Sequence, residues 1–190
     1  MRIFSTLAIL AFALSLAGCG PLNPLAPGIS TSETSGTNAT KQSKSSKPFK
    51  PSESSMAMEK RVFELTNAER AKHRLPPLIW HDVLSSAARA HSDDMLRNNM
   101  TGHSGSDGSS AKQRIERQGI KNANSWSENV AYGSSTPEAV VQAWMNSPGH
   151  KANILSNNSS HLGVGLVLRP AGSNAAYSHY WTQNFVRLPK

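Results

Sequence analysis

Four short stretches of this 190-residue chain carry side chains with acid–base or ligating chemistry. Thr101-Gly102-His103-Ser104 puts an imidazole in a glycine- and serine-rich loop, the kind of segment on which scaffolds place working residues. Ser147-Pro148-Gly149-His150 puts a second imidazole just past a proline–glycine break, where its ring can point back into whatever the domain encloses. Ser127-Glu128-Asn129 supplies a carboxylate, and Tyr180-Trp181-Thr182-Gln183 supplies a phenol and an amide. Together they read as one cleft assembled from the whole domain. Imidazoles exchange protons near neutral pH or ligate metals, so a cleft of this kind can bind, hydrolyse or hold an ion.

Glu128 is the most constrained of these groups. Trp126, Glu128, Val130 and Tyr132 alternate with Ser127, Asn129 and Ala131, so a strand here places the carboxylate in an otherwise apolar row. Burying it unpaired is costly, and it therefore needs a partner. It either stitches a loop by accepting backbone N–H groups or works as a metal ligand or general base. His91 differs, because it shares one helical face with Leu84, Ala88 and Met95 and is expected as a hydrogen-bonded histidine at the edge of the core.

The elements that must position these groups follow from period and punctuation. Met58, Val62, Leu65 and Ala68 fall at helical spacing, with Glu59, Lys60, Glu64 and Lys72 mostly elsewhere on the wheel, which predicts a helix over about 56–73. Pro76-Pro77 stops it, and Leu78, Ile79 and Trp80 bridge to a second helix ending near Met100. A polar helix follows around 111–118. Thr136-Pro137-Glu138 is a strong helix start, and Ala139, Val140, Ala143 and Trp144 are expected as its buried stripe. Two strands close the chain, with Leu162, Val164, Leu166 and Leu168 on one face of the first and Gly163 and Gly165 open to close approach on the other. The second lies around 177–186. Helices before and between a few strands give a three-layer α/β/α sandwich around a small, mainly antiparallel sheet.

Composition sets the address. Met1-Arg2, the apolar run Ile3 to Leu16 and the small residues before Cys19 form a secretory leader over 1–18, too short for a mature membrane span. Leu16-Ala17-Gly18-Cys19 resembles the bacterial lipobox, which makes Cys19 the lipidated first residue of the mature chain. Residues 19–55 are rich in Ser, Thr, Pro and Lys and too poor in apolar groups to fold, so a disordered tether is expected there before a domain over 56–190. From Met56 onward 15 Lys plus Arg face 10 Asp plus Glu, a scattered excess of +5. No arginine-rich run or RNA-type aromatic motif accompanies it, which argues against nucleic acid as a partner.

Taken in order, Leu65-x-Asn67-x-x-Arg70, Leu75-Pro76-Pro77-Leu78-x-Trp80, His103-Ser104, Glu128-Asn129, Trp144-x-x-Ser147-Pro148-Gly149-His150-x-x-Asn153-Ile154-Leu155, Gly163-Val164-Gly165 and Tyr180-Trp181-Thr182-Gln183 form a specific series. It resembles the bacterial branch of the CAP superfamily, which takes in cysteine-rich secretory proteins, antigen 5 and pathogenesis-related 1 proteins. The resemblance implies an α/β/α sandwich with a cleft of two histidines and two acids that holds zinc in some members. His103 matches the first histidine and Glu128 the first acid, whereas Ser147 stands where the second acid lies and Tyr180 where the second histidine lies. His179 does not replace it, because a shift of one residue along a strand points a side chain to the other face. His150, three residues after Ser147, can supply the missing imidazole, so that His103, Glu128 and His150 become the expected zinc ligands with a position open to water. Arg74 departs from the glycine that relatives carry after the first helix.

Two functions follow as expectations. The first is an envelope-anchored, exported binding module, held in the membrane by its N-terminal lipid, that takes a small apolar ligand, a wall fragment or an envelope protein in a cleft of His103, Glu128, His150, Ser147 and Tyr180. Gly20 after the lipidated cysteine, in place of the aspartate linked to inner-membrane retention, is compatible with outer-membrane sorting. The second is a metal-dependent hydrolase of peptide or cell-wall bonds. A Ser104–His103–Glu128 triad is a poorer variant, since adjacent residues seldom present nucleophile and base to one another.

Overall fold

Ser52 opens the first helix. Its hydroxyl accepts the Ser55 N–H at 3.1 Å, and Glu53 lies in the first turn against the positive helix end. Helix α1 (Glu53–Lys72) therefore begins three residues before the expected start in the computed structural model, which describes residues 50–189. The leader, Cys19 and most of the tether lie outside the described residues. At the other end Arg74 takes φ 56°, the Leu75 N–H reaches back to the Arg70 carbonyl, and the Arg74 N–H bonds that of Ala71. This left-handed stop is the one glycine usually makes.

The inward stripe of α1 is more polar than its sequence suggests: Ser55, Glu59, Val62, Thr66 and Arg70 are buried, while Ala68 is exposed. Glu59, expected on the solvent side of the wheel, is fully buried because two groups beyond the helix need it. Arg89 grips it with bonds of 2.7 and 2.8 Å, and the Leu166 N–H donates to it at 2.9 Å. Arg70 is also fully buried and donates to the carbonyls of Pro76, Ile154 and Ser156. Asn67 clamps Leu78 through both its N–H and its carbonyl. These contacts account for the Asn-x-x-Arg spacing.

Strands β1 (Ile79–Trp80), β2 (Ser125–Tyr132), β3 (His161–Leu168) and β4 (His179–Arg187) form one sheet in the order β1-β3-β4-β2. The β1–β3 pair is parallel and the other two pairs are antiparallel, as the expected mainly antiparallel sheet requires. Helix α2 (Asp82–Arg97) packs on one face, with α3 (Ala111–Arg117) beside it. Helices α1, α4 (Pro137–Met145) and α5 (Pro148–Ile154) cover the other. The result is the α/β/α sandwich, with its main core of Val62, Val140, Trp144, Leu162, Val164 and Phe185 on the α1 side. In α4 the buried residues are Pro137, Val140, Val141 and Trp144, whereas Ala139 and Ala143 are exposed. The larger side chains thus turn that stripe toward the sheet.

Gly163 and Gly165 face α2 at a distance no side chain tolerates. A Cβ on Gly163 would overlap the backbone of Leu84 and Ser85, and one on Gly165 that of Ala88 and Arg89. Because β1 spans only two residues, the rest of β3 is a free edge. Ser85 Oγ takes the Val164 N–H and Glu59 the Leu166 N–H, so side chains replace the missing strand.

Candidate functional site

Glu128 sits on the α2 side of β2 with Trp126 and Val130, as the alternation predicts, and is 7% exposed, whereas Tyr132 at the end of that row is exposed and Asn129 on the other face is buried as well. Its partners come from three elements. Arg114 of α3 donates from Nη2 to Oε2 at 2.7 Å, and His103 places Nδ1 3.0 Å from Oε1. Asn184 of β4, its amide turned so that each end meets its complement, donates to Oε2 at 3.2 Å while accepting the Ala88 N–H. Arg114 is held in turn by the Ser109 carbonyl at 2.7 Å. The carboxylate is therefore neutralised by a buried guanidinium and orients an imidazole, leaving His103 Nε2 as the outward nitrogen. The Glu128 bond raises the His103 pKa above the ordinary histidine value, against the opposing effect of partial burial.

The loop carrying His103 is tied to one face of α2. His91 is fully buried, and its Nε2 lies 2.9 Å from the Gly102 carbonyl, which can only accept. Nε2 therefore carries the proton, and Nδ1 is buried without a hydrogen-bond partner. Burial lowers the His91 pKa, so the ring stays neutral although Glu128 Oε1 is 4.0 Å away. One turn later Asp94 takes the Ser106 N–H at 2.8 Å and the Ser106 hydroxyl at 2.6 Å. His91 thus has the core role expected of it, and it also fixes the residue preceding His103.

His150 arrives from the other side of the sheet. Asn129, next to Glu128, points toward α5, where its Nδ2 bonds the His150 carbonyl at 3.2 Å and Gln183 Oε1 at 3.1 Å. Asn153 Nδ2 donates to Asn129 Oδ1 at 2.9 Å and to the Glu128 carbonyl at 3.1 Å. Gln183 continues the chain to Thr66 on α1 at 2.9 Å. This buried network sets the start of α5 against β2, and there the His150 ring is half-buried and close enough to His103 to feel its charge. Burial first, and then that charge, lower the His150 pKa.

Ser147 is the N-cap residue of α5, and its hydroxyl makes no capping bond. Tyr180 lies elsewhere: it is fully buried with Met95, Val130 and Ala175, and its hydroxyl accepts the Tyr177 N–H at 3.3 Å. It pairs with Tyr132, whereas Glu128 pairs with Asn184, four residues or about 13 Å away along the strand. His179 stacks on Trp181, on the opposite side from Tyr180. Sequence reasoning did not single out Arg114, the partner that Glu128 required. Its polar seven-residue helix resembles a solvated one, and only the burial of Arg114 beside Ile115 distinguishes it. Among the described residues no group of three or more His, Cys, Asp or Glu is placed to hold one metal ion.

Comparison with known proteins places this arrangement. An uncharacterised protein of Bacillus subtilis, YkwD, is 45% identical over 133 residues, which cover 70% of this chain and 48% of that protein. The uncharacterised membrane protein YlbC of the same bacterium is 36% identical over 68% of this chain and 34% of its own length. The chain thus spans half or less of the curated relatives it matches. Among solved structures, an extracellular protein containing an SCP domain from Bacillus anthracis superposes with a TM-score of 0.62 at 32% identity, covering 70% of this chain and 41% of that one. An outer surface protein of Borrelia burgdorferi has the same fold, with a TM-score of 0.61 at 22% identity over 72% of this chain and 95% of its own. The model of the CAP family, the cysteine-rich secretory protein family, matches residues 63–185, which include every group of the site, and this chain belongs to that family.

Proposed function

We propose that this protein is an exported binding module, lipid-anchored to the cell envelope through Cys19. In this reading its cleft over His103 and His150 receives a small apolar ligand, a wall fragment or an envelope protein. The extracellular and outer-surface relatives support export, as does the leader-like start. The observation that carries the binding role is the full commitment of Glu128. Both of its oxygens are taken by Arg114, Asn184 and His103, so it acts as the post that aims His103 rather than as a free base.

Zinc enters this proposal in one form. In it His103 Nε2 and His150 would hold the ion, with Glu128 behind His103 as the group that orients the ring. Glu128 is not a third ligand in this form, because a guanidinium lies 2.7 Å from its Oε2. Zinc bound there would polarise a water or a ligand carbonyl.

The hydrolase is the second reading, favoured by the carboxylate-oriented imidazole, an arrangement that can also serve as a base. Calorimetric zinc titration of the full-length protein beside His103→Ala and His150→Ala tests the metal. Loss of binding in both variants supports the two-histidine site, and unchanged binding refutes it. NMR titration with muropeptides and fatty acids tests the module. Saturable shifts centred on His103 and His150 without turnover support binding, whereas turnover lost in His103→Ala establishes the hydrolase. No shift with any ligand tested would count against the cleft as a small-molecule site.

A further inference from the structure

At the opposite edge of the sheet from Glu128, two more imidazoles face each other. His81 is the N-cap residue of α2 and makes no side-chain cap, and His161 is the first residue of β3. Their ring centres are 5.7 Å apart at an interplanar angle of 78°. Two imidazoles that ligate one ion at about 2.0–2.1 Å bring their ring centres to roughly 5–6 Å, so this spacing suits a shared ion.

Hydrogen bonding leaves nitrogens free for such an ion. Ser160 Oγ accepts the Leu188 N–H at 3.1 Å and reaches the Val186 carbonyl at 3.4 Å as a donor. His161 Nδ1 lies 2.9 Å from Ser160 Oγ, and either atom can be the donor. In the tautomer that carries its proton on Nδ1, His161 Nε2 has an open lone pair, the arrangement in which an outer partner fixes a ligating histidine. His81 Nδ1 is buried without a hydrogen-bond partner. Both residues stand on fixed backbone: Ile79 is in register with His161, and the His81 N–H donates to the Leu162 carbonyl at 3.0 Å. Both rings are half-buried and keep part of their surface open to solvent, although the His81 Nδ1 atom itself is covered.

We propose that His81 and His161 form a second ligand site, a bis-histidine seat for a late first-row divalent ion, with Cu²⁺ the tightest occupant. Imidazole suits copper, nickel and zinc, and affinity rises toward copper along that series. Two protein ligands leave the other positions to water, in keeping with the absence of any three-residue His, Cys, Asp or Glu cluster among the described residues. The site is independent of the cleft, since β3 and β4 separate β1 from β2.

The test is Cu²⁺ titration of the full-length protein, read by paramagnetic broadening of the histidine ring signals and by bound equivalents. The expected result is early, joint broadening of His81 and His161, with one equivalent lost in His161→Gln and in His81→Gln and retained in His103→Ala. Broadening confined to His103 and His150, or spread evenly over His73 and His179, would overturn the proposal, as would an unchanged stoichiometry in His161→Gln. If a glutamine variant does not fold, the order in which the wild-type rings broaden decides the question alone.

Discussion

Glu128 and Asn129 are adjacent in the chain and serve opposite faces of the sheet. The carboxylate meets Arg114 and His103 on the α2 side, and the amide holds the His150 carbonyl on the α5 side. The ring of His103 and the backbone of His150 are thus held by one dipeptide on an edge strand, through the strand's period of two.

Glu128→Gln should cost about 3 kcal/mol or more, because it strands the buried Arg114 guanidinium without its counter-charge. The His103 pKa should fall toward the ordinary value of about 6.5. Denaturant unfolding checks the first outcome and NMR titration of the His103 ring the second. Stability within about 0.5 kcal/mol of wild type would show that Arg114 does not depend on this partner.

The two histidines near Glu128 should give opposite pH dependences. His103 has a raised folded pKa, so its contribution is complete below about 6.5 and is lost as the pH rises through the folded value. His91 has a lowered folded pKa, so its contribution is present above about 6.5 and is lost as the pH falls through the folded value. His91→Gln should flatten the acid limb of the stability curve, and His103→Gln the alkaline one. Thermal melts between pH 4 and 8 would show this, and an acid limb unchanged in His91→Gln would remove His91 from that account.

Arg74→Gly should stabilise the domain by on the order of 1 kcal/mol, since φ at this position is 56° and glycine adopts that region without a Cβ penalty. The melting temperature should rise. An unchanged or lower value would mean that the arginine side chain offsets its own backbone strain.

Asn153→Ala should cost about 1–3 kcal/mol, because Asn129 Oδ1 and the Glu128 carbonyl both lose a donor. The loosening should be local. Hydrogen exchange should accelerate in α5 before the β3–β4 core, and the His150 ring signal should move while that of His91 stays in place. Uniform loss of protection would contradict the local role of the network.

Much of this architecture was legible because it rests on short-range rules. The Thr136-Pro137 helix start, the glycine pair on β3, the stop after α1 and the alternation that buries Glu128 each follow from neighbouring residues and strict periods. The motif order also pointed to the α/β/α sandwich and to His103 beside Glu128. What only the tertiary structure decided concerns partners distant in sequence. Glu59 goes inside because Arg89 and the free edge of β3 need a carboxylate, 30 and 107 residues away. Arg114 is a buried counter-ion because β2 brings Glu128 to it, and Tyr180 is core because α2 and β2 bring Met95 and Val130 against it. Glu59 and Arg114 carry no mark of burial in their own stretches of sequence, because the groups that compensate for their lost water lie far along the chain and the fold alone brings them near.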